Sequence, residues 1–262
     1  MTVSTKDKSL SSTLIRGIQI LRCFSSTDER LTNAQIAEKL NINKASISRL
    51  CKTLVDQRYL RHDPIRGFRL APAILALSYP VLSSMKWREE AYTIMADFAD
   101  FSKGIASLAV FNGAEAIYIQ TAGDTAGFPI VPEIGMTMNL TETTTGRALL
   151  SLLSQDALRK KYIEIEEYYP GSYEKKSTRI DSGIASCKQN GYCFAFEEWN
   201  ENLHAFSAPV GCTSDGLYVA LSCGIPSYRA RREEITHDLA PRLAVVAKEL
   251  QRMKVFQRSS QH

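Results

Sequence analysis

Residues 43–52 bring together side chains that can bond to the bases and phosphates of DNA. Asn43, Ser46 and Arg49 recur every three residues, so a helix would place their hydrogen-bonding groups on one face. An arginine on such a face can donate two hydrogen bonds to guanine in the major groove. The same segment carries other basic, hydroxyl-bearing or small residues, namely Lys44, Ala45, Ser48 and Lys52. The pattern predicts a DNA-contacting helix; an ordinary exposed helix face is the alternative.

A second segment, TETTTGRALL at residues 141–150, has the composition of an anion site. Three threonines precede Gly146 where a loop enters a predicted helix. The first N–H groups of a helix have no partner within it, and the helix dipole favours negative charge there. The segment therefore predicts a carboxylate site. Alternatively, the threonines merely cap the helix.

Residues for catalysis or metal binding form no recognisable pattern. The chain lacks GxSxG, GxxxxGK[ST], HExxH and GxGxxG, and its six cysteines include no CxxC pair. Glu197 and Glu198 are adjacent, so on a strand they face opposite sides and make a poor acid–base pair. His204 and His237 would need partners that the sequence does not identify. We predict neither an enzyme nor a metal or cofactor site, with a metabolite-binding module or enzyme bearing an incidental basic N-terminus as the alternative.

The charge distribution separates a short basic segment from a mildly acidic remainder. Residues 1–72 contain 13 Lys and Arg against 6 Asp and Glu, a net charge of +7, whereas the rest carries −3. A basic N-terminal segment suits a polyanionic partner, although a solvated face would look the same. The polar start MTVSTKDKSLSS, and the lack of any apolar run of ~18 residues, predict a cytoplasmic protein without a signal peptide or membrane segment.

Three predicted helices and a hairpin would position the DNA-contacting face. The first helix follows Ser11, the second opens at Thr32 with Gln35 in a capping box, and Asn43 caps the third. A very short turn separates the second and third, as in a helix-turn-helix. Strand-like residues 59–62 and 68–70 then flank a turn-rich loop. They predict a wing whose arginines contact phosphate or the minor groove: Arg61, Arg66 and Arg69.

The remainder predicts a linker helix and an α+β domain. Residues 73–102 have a helical pattern, and Pro80 is expected to kink or split that helix. The apolar edge from Leu75 to Met85 favours packing on a second copy of the chain, or alternatively on the winged helix. Asn112-Gly113 predicts one hairpin, residues 206–210 and 217–223 a second, and residues 241–253 a final amphipathic helix.

These segments together resemble the IclR family of bacterial regulators over nearly the whole chain. The resemblance rests on IRGIQILRCF, LTNAQIAEKLNINKASISRLCKTLVDQRYL and FRLAP, and more loosely on EIGMTMNLTETTTGRALLS, GYCFAFEEWNENLHAFSAPV and ALSCGIP. It implies a winged helix-turn-helix (1–72), a linker helix (73–102) and an effector-binding domain (103–262) with a twisted antiparallel sheet flanked by helices. It also implies dimers or tetramers, partly palindromic operators in double-stranded DNA, and a small-molecule effector.

The residue patterns and the resemblance together give the residues expected at two sites. DNA contacts are expected from Arg16, Asn43, Lys44, Ala45, Ser46, Ser48, Arg49, Lys52, Arg61 and Arg66. Effector contacts are expected from Met138, Thr144, Thr145, Phe196, Ala205, Ser222 and Gly224. Of these, Thr144 and Thr145 would offer backbone N–H groups and Ser222 its hydroxyl.

Departures from the family pattern bear on the kind of effector. Asn139 stands where a proline is common. A frequent acidic position is replaced around Ala195 and Phe196, although Glu197 and Glu198 remain, and residues 202–205 read NLHA in place of Gly-Leu-Arg-Cys. The polar ring for a very small keto-acid is thus only partly present. Aromatic residues crowd the segment (Phe194, Phe196, Trp199 and Phe206), which favours an aromatic or bulkier acid unless they are plain core residues. We predict a DNA-binding transcriptional regulator controlled by a small organic acid.

Overall fold

The computed structural model describes residues 9–257, so the first eight residues of the polar start and the last five residues of the predicted third part lie outside it. The chain divides into two compact units between Met85 and Lys86. Among the helices of residues 9–257, none is long and apolar enough to cross a membrane.

The first unit is a helix-turn-helix followed by a two-stranded wing and a further helix. Its elements are α1 (Ser12–Leu21), α2 (Asn33–Leu40), α3 (Lys44–Asp56), β1 (Leu60–Asp63), β2 (Gly67–Leu70) and α4 (Ala73–Ser84). Ile20, Ile36 and Ile47 are fully buried where the first three helices meet, and Leu60 and Phe68 of the wing join the same core. The predicted winged helix-turn-helix is confirmed.

Local hydrogen bonds define where α2 and α3 begin. Thr32 and Gln35 form the predicted capping box, in which the N–H of Thr32 donates to Oε1 of Gln35 at 2.8 Å and the N–H of Gln35 donates to Oγ1 of Thr32 at 3.3 Å. The N–H of Ser46 donates to Oδ1 of Asn43 at 2.8 Å. Between the helices, Asn41 adopts a left-handed φ of 52°, which asparagine tolerates and which ends α2.

The linker helix breaks at a different place from the one predicted. Pro80 lies inside α4 without splitting it, and the break comes at Met85, before α5 (Trp87–Ser102). Proline costs a helix one N–H donor and crowds the preceding turn, and α4 continues for one more turn beyond it. There the hydroxyls of Ser83 and Ser84 donate to the carbonyls of Pro80 and Val81. Such side-chain bonds compete with the helical ladder, which accounts for the later end.

The second unit contains a six-stranded antiparallel sheet. The strands are β3 (Ile105–Asn112), β4 (Glu115–Ala122), β5 (Thr137–Asn139), β6 (Cys193–Phe196), β7 (Leu203–Cys212) and β8 (Tyr218–Pro226), in the order β5-β4-β3-β8-β7-β6. Both predicted hairpins are confirmed as β3–β4 and β7–β8. The helices after α5 are α6 (Thr144–Ser151), α7 (Gln155–Tyr168), α8 (Ser177–Asn190), α9 (Arg232–Glu234) and, after a π-helical turn at Ile235–Leu239, α10 (Ala240–Gln251).

Helices cover both faces of this sheet. Successive residues of a strand point to opposite faces. Phe206 of β7 contacts Phe98 of α5, with ring centroids 6.4 Å apart. The hydroxyl of the next residue, Ser207, lies 2.8 Å from that of Thr144 in α6. Helices α5 and α10 therefore pack on one face and α6 on the other, which confirms the predicted α+β fold of this part.

Candidate nucleic-acid interface and ligand cavity

Helix α3 divides its residues between the core and solvent. Ile47 and Cys51 are fully buried, whereas six of the residues predicted to contact DNA are exposed and Ser46 is half-buried; the exposed ones are Asn43, Lys44, Ala45, Ser48, Arg49 and Lys52. The side-chain carbonyl oxygen of Asn43 accepts the capping hydrogen bond. Its side-chain N–H groups therefore remain available to DNA. Arg16 is exposed on α1.

The wing is held by a turn that leaves its arginines in solvent. The N–H groups of Ile65 and Arg66 donate to Oδ1 of Asp63 at 2.9 and 3.0 Å, and these bonds hold the pKa of Asp63 below its usual value. Gly67 has a φ of +84°, and a Cβ there would lie 2.5 Å from the carbonyl oxygen of Leu31. Arg61 and Arg66 are exposed on this scaffold, as is Arg69.

A cavity in the second unit lies between the sheet and the N-terminus of α6. The volume that the centre of a water-sized sphere can occupy in this cavity is about 60 Å³. A single water molecule needs ~10–15 Å³ by the same measure. A small organic molecule therefore fits better than a single water. The walls are mainly apolar: Ile105, Phe128, Ile130, Pro132, Met138, Ala195, Trp199, Leu203, Ala205 and Gly224, with Cys223.

The N-terminus of α6 brings two N–H groups without a protein partner to this cavity. Thr143 is the N-cap and accepts the N–H of Gly146 at 3.1 Å. Within the described chain, the N–H groups of Thr144 and Thr145 donate to no protein acceptor. Both residues line the cavity and are 2% exposed. Capping and anion binding are thus compatible here, because Thr143 caps the helix and the next two residues keep their donors.

Hydroxyl groups from the sheet surround the same helix end. Tyr118 of β4 places its hydroxyl 3.2 Å from Oγ1 of Thr145 and 3.7 Å from the sulfur of Met138. Burial raises the pKa of Tyr118 above its usual value, so the group stays protonated and can donate. Ser222 of β8 also lines the cavity and donates to the carbonyl of Ser107 at 3.3 Å.

The cavity also has acidic and amide residues that the sequence did not indicate. Glu142 and Glu198 both line it, together with Asn200. Each carboxylate is neutralised by a cation that is not itself a lining residue: Lys176 pairs with Glu142, and Arg147 pairs with Glu198. The walls therefore carry carboxylate oxygens without a net negative charge from these two pairs.

Six of the seven residues expected to contact an effector line the cavity, and Phe196 does not. Phe196 is on the opposite face of β6, where its ring meets His204 at 5.1 Å and the guanidinium of Arg232 at 5.3 Å. Strand alternation instead turns its neighbour Ala195 to the cavity. Of the four aromatic residues singled out, only Trp199 lines it, since Phe206 packs on α5.

Sequence reasoning missed Tyr118 and Glu198. The alternation in EAIYIQ at residues 115–120 places Tyr118 on the same face as Ala116. That parity groups Tyr118 with Ala116 but does not identify the face that meets the cavity. Glu198 follows the end of β6, where no periodicity applies. For metals, the described residues contain no group of three or more His, Cys, Asp or Glu side chains that could hold an ion.

Comparison with known proteins matches both units. Residues 13–64 match the IclR helix-turn-helix domain, and residues 79–252 match the C-terminal domain of the bacterial transcriptional regulator IclR. The p-hydroxybenzoate hydroxylase transcriptional activator of Acinetobacter baylyi is 25% identical over 249 residues, covering 92% of this chain and 90% of that protein.

Solved structures show the same fold. An IclR family transcriptional regulator from Brucella abortus has a TM-score of 0.83 and 28% identity, covering 96% of this chain and 95% of that chain. An IclR homologue from Microbacterium hydrocarbonoxydans, crystallised in complex with 4-hydroxybenzoate, has a TM-score of 0.69 and 16% identity, covering 92% and 99%. Since the two family models follow each other in the order of the two units and span most of the sequence, this chain belongs to the IclR family of bacterial transcriptional regulators, which bind DNA through a helix-turn-helix and are not enzymes.

Proposed function

We propose that this regulator binds a small aromatic carboxylic acid in the cavity at the N-terminus of α6. Binding of the acid then changes its affinity for a partly palindromic operator. The observation that carries the proposal is the pair of unpartnered N–H groups of Thr144 and Thr145 at the edge of a mainly apolar cavity. A carboxylate there gains hydrogen bonds and a favourable helix dipole. The apolar walls suit an aromatic ring.

Two comparisons support an aromatic acid. One relative is named for activating p-hydroxybenzoate hydroxylase transcription, and one structural neighbour was crystallised with 4-hydroxybenzoate. Both statements concern those proteins. For this chain they make 4-hydroxybenzoate the first compound to test, alongside the aliphatic acids that the same N–H groups could hold.

Thr144 offers a clean test of the anion site. Its predecessor Thr143 has extended backbone (φ −124°, ψ 154°), the conformation that a residue before proline favours, and proline is well tolerated at the first position of a helix. Thr144→Pro therefore removes one N–H while keeping the helix. Thr144→Val is the matched control, because it loses the hydroxyl contact to Ser207 and keeps the N–H.

Calorimetry with 4-hydroxybenzoate should show that Thr144→Pro weakens binding by about tenfold or more, as expected for a hydrogen bond to a charged group, while Thr144→Val stays within about threefold. Operator binding by the unliganded protein should not change. Equal losses in both variants, or 4-hydroxybenzamide binding as tightly as the acid, would show that the N–H groups do not hold a carboxylate.

We assign operator binding to α3 and the wing. Two or more copies of the chain would bind together, each through its own α3 and wing. One recognition helix reads too few base pairs for useful specificity, so such proteins bind as dimers on paired half-sites. The exposed apolar side chains of α4, among them Leu75, Leu77 and Val81, support self-association. Sedimentation should give a multiple of 29.2 kDa, and Leu75→Glu with Leu77→Glu should lower it. A 29.2 kDa species that still occupies a full operator would contradict this.

A further inference from the structure

We propose that Glu198 makes the cavity selective for acids that carry a second hydrogen-bond donor, such as a ring hydroxyl or amine. The inference rests on the proposed function, because it concerns what the same cavity accepts once a carboxylate is bound. It narrows the ligand class from aromatic acids in general to donor-substituted aromatic acids.

Glu198 has one carboxylate oxygen without a protein partner among the described residues. Its Oε2 accepts a hydrogen bond from Nη2 of Arg147 at 2.5 Å. No protein donor in residues 9–257 reaches its Oε1. The residue lines the cavity, and its side chain is one-quarter exposed. Since an ionised carboxylate can only accept hydrogen bonds, Oε1 needs a donor from water or from a ligand.

Arg147 holds this carboxylate in place. It lies in α6 three residues after Thr144, which is about one helical turn, and is 4% exposed. Its side chain is packed against α8, because a Cβ at Gly183 would lie 2.5 Å from Cδ of Arg147. Since Arg147 is buried, Glu198 cannot move away from it without leaving a buried charge unpaired.

The consequence for a ligand follows from desolvation. A bound acid displaces water from the cavity, and an acid without a donor does not replace the hydrogen bonds that this water gave to the carboxylate. A site built around a polar group rejects analogues that lack the complementary group far more strongly than an apolar pocket rejects a missing methylene. Benzoate should therefore bind more weakly than its hydroxyl- or amino-substituted forms.

Glu197 provides a matched control. It precedes Glu198 in the chain and is also paired, since Nη2 of Arg232 donates to its Oε2 at 2.7 Å. It is not among the described residues that line the cavity. Removing its charge should leave the ranking of ligands unchanged.

The test is calorimetry on the full chain with benzoate, 3-hydroxybenzoate, 4-hydroxybenzoate and 4-aminobenzoate, using the wild type, Glu198→Gln and Glu197→Gln. The wild type should bind at least one donor-substituted acid about tenfold or more tighter than benzoate. In Glu198→Gln, whose single amide oxygen is taken by Arg147, the ratio should fall below about threefold. In Glu197→Gln it should stay as in the wild type.

Each other outcome overturns a specific statement. If the wild type binds all four acids equally, the selectivity inference is wrong while acid binding stands. The selectivity inference is also wrong if Glu198→Gln keeps the ratio, or if it raises the affinity for all four acids equally and so acts only by removing a charge. If no acid binds to the wild type, the proposed function fails as well. The wild-type series decides the selectivity even if Glu198→Gln does not fold.

Discussion

The hydroxyl of Tyr118 lies 3.2 Å from Oγ1 of Thr145, and this contact ties strand β4 to the first turn of helix α6. Both residues line the cavity and both are almost completely buried. The tyrosine therefore fixes the position of a helix end whose N–H groups are proposed to hold the ligand, and its protonated hydroxyl is within reach of the same ligand.

Tyr118→Phe tests that role. It removes one hydrogen bond worth ~0.5–1.5 kcal/mol, so affinity for 4-hydroxybenzoate should fall by about three- to tenfold while operator binding by the free protein is retained. Calorimetry measures the first and fluorescence anisotropy on operator DNA the second. Tyr228→Phe is the control, because the hydroxyl of this exposed residue donates to the carbonyl of Gly127 at 3.5 Å and lies outside the cavity lining. If the affinity of Tyr118→Phe for 4-hydroxybenzoate were unchanged, the Tyr118 hydroxyl would have no part in ligand binding and the residue would serve only in packing.

Arg49→Ala should weaken operator binding and relax the preference at one base pair. The side chain is exposed on α3 beside the other predicted DNA contacts, and a lost bidentate contact to guanine costs ~1–3 kcal/mol. Binding to an operator selected from random-sequence DNA, compared with a scrambled duplex, measures the effect. Equal losses on both duplexes would mean that Arg49 contacts only phosphate.

Changing Arg61 and Arg66 together to Ala should lower affinity for every DNA sequence and flatten its salt dependence. The turn should survive, since Asp63 bonds to backbone N–H groups and not to these side chains. Each phosphate contact contributes ~0.9 to the slope of log affinity against log salt, so the slope should fall by up to ~1.8. Arg159→Ala, at an exposed side chain of helix α7, should leave it unchanged. A double variant with the wild-type slope would place the wing away from DNA.

Gly146→Ala should destabilise the second unit. A Cβ at this position would lie 2.0 Å from the carbonyl oxygen of Leu140, and forcing extra volume into such a contact costs ~1–3 kcal/mol or more. Thermal unfolding should show a lower midpoint. Gly17→Ala in α1 is the opposite case, because among residues 9–257 no atom outside its own stretch of helix lies within 4 Å of the added Cβ and alanine favours a helix. If the thermal unfolding midpoint of Gly146→Ala were unaltered, the loop at Leu140 would be able to shift away from the added Cβ without a cost in stability.

The features that the sequence determined are those set by contacts between near neighbours in the chain. The capping box of Thr32 and Gln35 and the cap of Asn43 each span three residues, and the turn at Asn112-Gly113 joins adjacent strands. Such contacts cost little loop entropy, so residue type and spacing decide them. Together with hydrophobic periodicity they identify the winged helix, both hairpins and the family.

Tertiary structure decided what faces the cavity. Tyr118 meets Thr145 across 27 residues, and Arg147 meets Glu198 across 51. Phe196 was assigned to the effector because aromatic residues crowd its segment, yet its place on β6 turns it to the opposite face and brings Ala195 in. A shift of one residue along a strand reverses every side chain. The packing of the sheet against α6 decides which face of a strand meets the cavity. It also decides which distant residue pairs with a given charge. Local spacing in the sequence specifies neither.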